Sequence, residues 1–489
     1  MRTKLLILVT LPVLVWHMSA WASSRAACEL FNQAVAAENS GDLDRALTLY
    51  TEAAELDPRN AAIYSNRGAV YLKKKQPDPA LADLDRAAEL DPNNPGTFSN
   101  RGMAFQAKGD LTRAMEDFAR AIALERGHVP SLYGRAKLHA DQGQREQAIK
   151  DLAAIVRADP HEVKAQILIG RLLLAQGAQE RAVRAFDSAL RTDRSNPEAH
   201  LGKGDAFVAM GKYRAAVKEY DHAIEAAPGN VRALVNRCAT LTRLREFPRA
   251  VRDCEAALAS DKAPPDADHN LGLARAGMSD HQAAVAAFNK AVEKAPGKTD
   301  YLYNRALSLQ ALGMQDRALD DLGTVLERNP NHADALNQRG TVRWITREIP
   351  LAMEDFRRAV EIDPKHVTAM KNLAAGLLER GDPKSAAPIL ERAAKLAPKD
   401  PDIAGLVGDL WIAEGKWDKA QNSYKAALKG APAGKERLRV LSRMGLALEH
   451  AGKLRPAIQA YEKALEETTD AKVGDELARK ISELKGSGK

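Results

Sequence analysis

AAIYSNRGAVYLKKKQPDPALADLDRAAELDPNN, residues 61–94, is followed without a gap by PGTFSNRGMAFQAKGDLTRAMEDFARAIALERGH, residues 95–128. Laid one over the other, the two stretches agree at Asn66 and Asn100, Arg67 and Arg101, Gly68 and Gly102, Ala80 and Ala114, and Asp83 and Asp117. The alanine continues at the same 34-residue interval: Ala46, Ala80, Ala114, Ala148, Ala182, Ala216, Ala250, Ala284, Ala318, Ala352, Ala386 and Ala420. A 34-residue period is the signature of stacked helix–turn–helix units, each relying on its neighbours to bury its apolar face. With the alanine at repeat position 20, twelve units run from Ala27 to Gly434 without insertion or deletion.

Other positions agree with that ruler. Position 32 is proline at 58, 92, 160, 228, 296, 330, 364, 398 and 432, where it stops the second helix of a unit. Position 8 is always small: seven glycines (68, 102, 170, 204, 272, 340 and 408), otherwise alanine or Cys238. Position 24 is large in most units, as at Tyr50, Phe118, Phe186, Tyr220, Phe288, Phe356 and Tyr424. Glycine is frequent at position 15, which suits a tight interhelical turn. A thirteenth unit over 438–469 follows a three-residue slip at Lys435–Arg437 that should bend the stack. Residues 470–489 close the chain as a helix and tail. The helix has an apolar face of Val473, Leu477, Ile481 and Leu484 and polar flanks, as a terminal cap requires.

The N-terminus is a different object. Arg2 and Lys4 precede an apolar run from Leu5 to Trp16, and Ala20-Trp21-Ala22 places small residues where signal peptidase reads them. Residues 1–22 read as a secretory signal and 23–26 as a short linker, so the chain is expected to be exported, periplasmic or secreted. The run is short for a membrane span, and an uncleaved anchor is the alternative. Cys28 lies far from the apolar run and Arg25 disfavours a lipoprotein motif. The chain is 489 residues long, 45% hydrophobic, 5% aromatic and carries a formal charge of +7 with both signs interspersed. That describes a solvated helical surface and gives no nucleic-acid footprint.

These spacings resemble the tetratricopeptide repeat family over about residues 27–469. The resemblance implies an all-α, right-handed superhelical solenoid whose first helices line a concave groove that binds peptide or protein partners. Position 6 should face that groove. It is Asn32, Asn66, Asn100, Asn236, Asn270, Asn304 and Asn372, with Gln338 in one gap. Amide side chains donate and accept at once, so a row of them can hold a peptide backbone, similar to the asparagine ladders of other superhelical members. Groove-facing polarity without a ligand is the other reading. The row breaks at Gly134, Leu168 and Gly202, near Tyr133, Ile167, Leu174, Leu201 and Val208, which suggests an open apolar saddle. Trp344, at position 12, is either a groove anchor or ordinary repeat packing.

Positions 7 and 23 change together. Arg67, Arg101, Arg135, Arg237, Arg305 and Arg339 stand in the same units as Asp83, Asp117, Asp151, Asp253, Asp321 and Asp355. One unit has Lys203 with Glu219; the others are uncharged at both sites, as at Leu271 with Ala287. We read these as structural ion pairs between the two helices of a unit, not as a ligand stripe. Cys238 and Cys254 occupy positions 8 and 24 of one unit and are expected to form a disulfide in an exported chain; two buried thiols are the alternative.

No catalytic constellation emerges. Gly297-Lys298-Thr299 has the ending of a phosphate-binding loop, but Val292 stands where its first glycine belongs. The histidines have no metal spacing, and no cofactor is expected. The chain reads as a non-catalytic scaffold for a peptide or protein partner in an envelope or secretion assembly. A polysaccharide in the same groove is the alternative, and no membrane span is expected after signal cleavage.

Overall fold

A computed structural model describes the backbone of residues 10–487 and the side chains of residues 25–486. Residues 1–9 of the expected signal segment lie outside the described backbone, and all of its side chains lie outside the described set. From Thr10 a helix runs to Asn39. No helix among the described residues is long and apolar enough to cross a membrane.

The described residues form helices and turns without a strand, 27 helices in all. They divide into two units, Met1–Leu244 and Arg245–Lys489, each a run of stacked helix pairs. The period is written directly into the helix boundaries. First helices start at 61, 95, 129, 163 and 197 in the first unit and at 265, 299, 333, 367 and 401 in the second. All twelve ladder alanines are fully buried, where a larger side chain would push paired helices apart. Asn60, Asn94, Asn196 and Asn230 cap first helices by accepting from backbone N–H groups of the opening turn.

Position 15 carries positive φ in all twelve units. Eight of these residues are glycine; Lys75, Arg245, Ser279 and Arg347 hold the same left-handed turn at φ 57, 63, 63 and 68°. The paired helices dictate that geometry whatever residue occupies it.

Positions 8 and 24 compensate one another. A Cβ on Gly340 would lie 2.7 Å from Cε1 of Phe356. Where position 8 is alanine instead, as at Ala136, Ala306 and Ala374, position 24 shrinks to Leu152, Leu322 and Leu390. Ala34 with Tyr50 and Gly68 with Leu84 depart from this rule.

The three-residue slip falls at the start of the thirteenth unit. The next first helix, Lys435–His450, has 16 residues against 13 in its counterparts, so the extra residues add most of a turn at its N-terminus. Gly434, at φ 87°, turns the chain into it, and its N–H donates to Glu467 at 2.6 Å. The last helix, Ala471–Ser487, is capped by Asp470 and buries Leu477, Ile481 and Leu484 against Leu441, Leu448 and Tyr461.

Candidate functional site

The charged residues at positions 7 and 23 are structural. Nε and Nη2 of Arg67 donate to the two carboxylate oxygens of Asp83, both at 2.7 Å. The same fork joins Arg101 to Asp117, Arg135 to Asp151, Arg305 to Asp321 and Arg339 to Asp355, at 2.7–3.0 Å. These carboxylates are 3–7% exposed. Hydrogen bonding to Asp83 holds the Arg67 guanidinium above its ordinary pKa, and Asp117 does the same for Arg101. A third nitrogen often reaches sixteen residues back. Nη1 of Arg67 donates to Thr51, of Arg101 to Asp85, of Arg237 to Asp221 and of Arg305 to Asn289, at 2.7–3.0 Å. Lys203 repeats the pattern between Asp187 and Glu219, at 2.9 and 2.8 Å. The five-donor arginine fork thus joins a repeat to itself and to the one before it. The link to the preceding repeat was not apparent in the sequence, because Thr, Asp and Asn share no identity at that site.

The helices Val231–Arg243 and Phe247–Leu258 belong to different units. Within them Cys238 and Cys254 are fully buried and Asp253 is 7% exposed. Cys28 is exposed and free.

The position-6 amides are largely engaged within the protein. Nδ2 of Asn236 donates to Asp205 at 2.7 Å, and Nδ2 of Asn372 to Oδ1 of Asn337 at 2.9 Å. Asn304 contacts Nε2 of His269 at 3.1 Å and donates to the carbonyl of Asp300 at 2.8 Å. Gln338 bonds Gln310, and the exposed Asn32 lies near Cys28 Sγ at 3.9 Å. Asn100 and Asn270 make no side-chain hydrogen bond among the described residues. Much of the row therefore joins successive first helices and is not a bare ladder. Two of its breaks have a packing cause. A Cβ on Gly134 would lie 2.5 Å from Phe118 Cζ, and one on Gly202 would lie 2.4 Å from Phe186.

Groove-facing carboxylates have a similar structural purpose. The hydroxyls of Tyr50, Tyr220, Tyr424 and Tyr461 donate to Glu38, Asp205, Asp409 and Glu449 at 2.6–3.1 Å. Burial of the rings leaves each hydroxyl needing a partner. Where position 24 is Phe118, Phe186, Phe288 or Phe356, positions 9 and 12 of the same unit carry no acid.

The remaining break in the amide row is Leu168, and here the groove is open. A cavity of about 640 Å³ is lined by His161, Glu162, Val163, Lys164, Ile167, Leu168, Arg171, Asn196 and Glu198. Val163, Ile167 and Leu168 come from one turn-and-a-half of the helix Val163–Ala175. The polar rim is already ordered: the Tyr133 hydroxyl donates to Glu162 at 2.8 Å, and Arg171 pairs with Glu198. The saddle is narrower than expected. Leu201 is 1% exposed and Ile167 is 7% exposed, both packed into the core, while Tyr133, Leu168, Leu174 and Val208 are half-buried. A second cavity of about 250 Å³ lies beside Asp205, Val208, Asn236 and Arg243.

Trp344 is half-buried against a core cluster of the second unit, 6.5 Å from the Phe356 ring. A Cβ on Gly376 would meet its ring at 3.0 Å. It packs beside Phe356 of its own repeat and Gly376 of the next. No group of three or more potential metal ligands assembles among the described residues.

A tetratricopeptide repeat profile matches residues 133–199, 240–299, 303–367 and 408–472, more than half of the chain. Related repeat profiles match 39–75, 61–94, 96–128, 173–238 and 348–410. Human tetratricopeptide repeat protein 28 is 46% identical over 55 residues, which is 11% of this chain and 2% of that protein. Hsc70-interacting protein 1 of Drosophila melanogaster is 42% identical over 57 residues, 12% of this chain and 15% of the fly protein. The chain thus spans only a small part of the curated relatives it matches. Among solved structures, the APC/C hetero-tetramer Cut9–Hcn1 aligns over 93% of this chain and 96% of its own, at 13% identity and TM-score 0.48. A tetratricopeptide repeat protein from Parabacteroides merdae aligns over 51% and 98%, at 19% identity and TM-score 0.41. The chain belongs to the tetratricopeptide repeat family, a scaffold fold suited to protein–protein interaction.

Proposed function

We propose that this protein is an exported, non-catalytic scaffold that holds a protein segment in the groove of its first unit, within an envelope or secretion assembly. The observation that carries the groove reading is the half-open cavity at Leu168, where the amide row gives way to an apolar floor with an ordered polar rim. Apolar cavities with a few fixed polar groups are where binding energy concentrates. The floor of Val163, Ile167 and Leu168 is aliphatic, which suits a protein side chain better than a sugar ring. Export rests on Arg2, Lys4, the apolar run to Trp16 and Ala20-Trp21-Ala22.

A photo-crosslinking residue at position 168 should capture a partner in intact cells, while one at exposed Lys150 on a second helix should not. Leu168→Asp should abolish capture from a neighbouring groove position without changing helicity. Equal capture at 168 and 150 would refute the groove reading. The exported chain should begin at Ser23; a chain that stays in the cytoplasm with Met1 intact would refute export.

A further inference from the structure

Position 25 of a repeat supplies an acceptor to the position-7 cation sixteen residues later. Arg67, Arg101, Lys203, Arg237 and Arg305 donate in this way to Thr51, Asp85, Asp187, Asp221 and Asn289. The two remaining position-7 cations lack that partner, because Arg135 follows Ala119 and Arg339 follows Gly323. At Gly323 the side chain is missing altogether, and a Cβ there would meet nothing within 4 Å.

A cavity of about 230 Å³ stands in that place, within the second unit. Gly323, Leu326 and Glu327 line it from the helix Gln315–Arg328, and Leu336 and Arg339 from the helix Ala333–Ile345. Pro330 in the intervening turn and Arg358 on the helix Ile349–Ile362 complete the wall. Arg339 gives Nε and Nη2 to Asp355, and its Nη1 makes no hydrogen bond among the described residues. Asp355 also accepts from Nη1 of Arg343 at 2.7 Å; no other position-7 cation is followed by an arginine four residues on. Arg358 is exposed and gives only Nη2, to the Pro330 carbonyl at 3.2 Å. Three guanidinium groups therefore stand with two carboxylates, Asp355 and the exposed Glu327, which leaves one positive charge over.

We propose that this cavity binds the carboxylate of a short aliphatic acid. Three of the five position-25 acceptors are aspartate, whose side chain is a methylene bearing a carboxylate. A free acid supplies the group that Gly323 omits. Its carboxylate accepts from Nη1 of Arg339 and from the unspent donors of Arg358, and its chain lies on Leu326, Pro330 and Leu336. Arginine suits this role, because its planar fork makes charge-assisted hydrogen bonds to carboxylates and stays ionised at any physiological pH. The cavity is smaller than the roughly 300–1,000 Å³ that drug-sized ligands occupy, so it takes an acid of a few carbons. The fork from Arg339 to Asp355 stays intact when the site is filled. Gln338 of the amide row does not line the cavity, and the site is independent of the groove reading in the first unit.

The test is saturation-transfer NMR of butyrate with the full-length protein at constant ionic strength. Wild type should give a saturable signal. Butyramide should bind about tenfold more weakly, the difference between a charge-assisted and a neutral hydrogen bond. Butyrate should also slow amide exchange in Gln315–Arg328 and Ala333–Ile345. Gly323→Asp builds the missing carboxylate into open space, so it should keep its circular dichroism spectrum and lose the butyrate signal. Arg358→Gln changes an exposed side chain and should weaken butyrate about tenfold. No saturable signal in wild type, equal signals in wild type and Gly323→Asp, equal affinity for butyrate and butyramide, or unchanged affinity in Arg358→Gln would each overturn the proposal.

Discussion

Removing the carboxylate of Asp321 tests whether the arginines at position 7 are structural. Asp321 is 6% exposed and accepts from Nε and Nη2 of Arg305 at 2.8 and 2.7 Å. Stranding one member of a buried pair costs about 3–5 kcal/mol. Arg305 keeps its bond to Asn289 at 2.9 Å and is 18% exposed, so Asp321→Ala should fall near the lower limit, about 3 kcal/mol. Arg305→Leu alone should cost at least as much, because it strands a carboxylate whose side chain is only 8% exposed. The double variant recreates the Leu271–Ala287 pair of the preceding repeat and should lie within about 1 kcal/mol of wild type. A repeat array need not unfold in one step, so the readout is amide hydrogen exchange across Thr299–Ala311 and Gln315–Arg328. Single-variant costs that simply add in the double variant would refute the coupling, and the arginines would return to the list of ligand candidates.

Gly340→Ala should destabilise its repeat by about 1–2 kcal/mol, the overpacking cost against Phe356 less the gain in helix propensity, and Phe356→Leu added to it should restore exchange protection. Failure of the second change to rescue the first would show that positions 8 and 24 are not compensating. His200 offers a pH test: its Nδ1 lies 2.8 Å from Glu219 and its Nε2 3.0 Å from the carbonyl of Arg194, so only the imidazolium satisfies both acceptors. The Glu219 hydrogen bond raises its pKa above 6.5 against the opposing effect of burial; Lys203 also lowers it, and the His222 ring lies tilted at 5.1 Å. The stabilisation is fully present below the unfolded value and is lost as pH rises through the raised folded value, so protection of Pro197–Ala209 should fall above neutral pH and His200→Gln should flatten that dependence. An NMR titration that places His200 below an ordinary histidine would refute it. Non-reducing peptide mapping should recover Cys238 and Cys254 in one linked pair with Cys28 as a free thiol; free thiols at both buried positions would refute the disulfide.

Periodicity made the phase of the fold legible because each buried position must meet the same neighbour in every repeat. The helix starts at 61, 95 and 129 follow from nothing more than that. Pairwise change made Arg67 with Asp83 legible for the same reason. What stayed hidden were relations that tolerate different chemistry in each copy. Thr51, Asp85, Asp221 and Asn289 serve one purpose as acceptors for the following arginine, yet share no residue type. Lys75 and Ser279 hold the turn that glycine holds elsewhere, because the flanking helices impose the backbone. Gly134 and Gly202 looked like gaps in an amide row, but a ring from the preceding repeat fills each space.

The same distinction separates residues that serve the fold from residues available to a partner. An arginine with three filled donors, an asparagine bonded to the next helix, or an aspartate under a tyrosine hydroxyl already spends part of its hydrogen-bonding capacity on the fold. Lys164 differs because it has no salt bridge among the described residues and rests 5.0 Å above the Tyr133 ring at the rim of the Leu168 cavity. Leu168 differs because it packs against the core from the floor of an open cavity. Each departure alone has an ordinary structural explanation, since single exposed lysines and leucines are common on protein surfaces. Lys164 and Leu168 line the same cavity, however, so an exposed charge and a half-buried apolar side chain meet on one surface. That coincidence is the ground for placing the proposed groove site in the first unit.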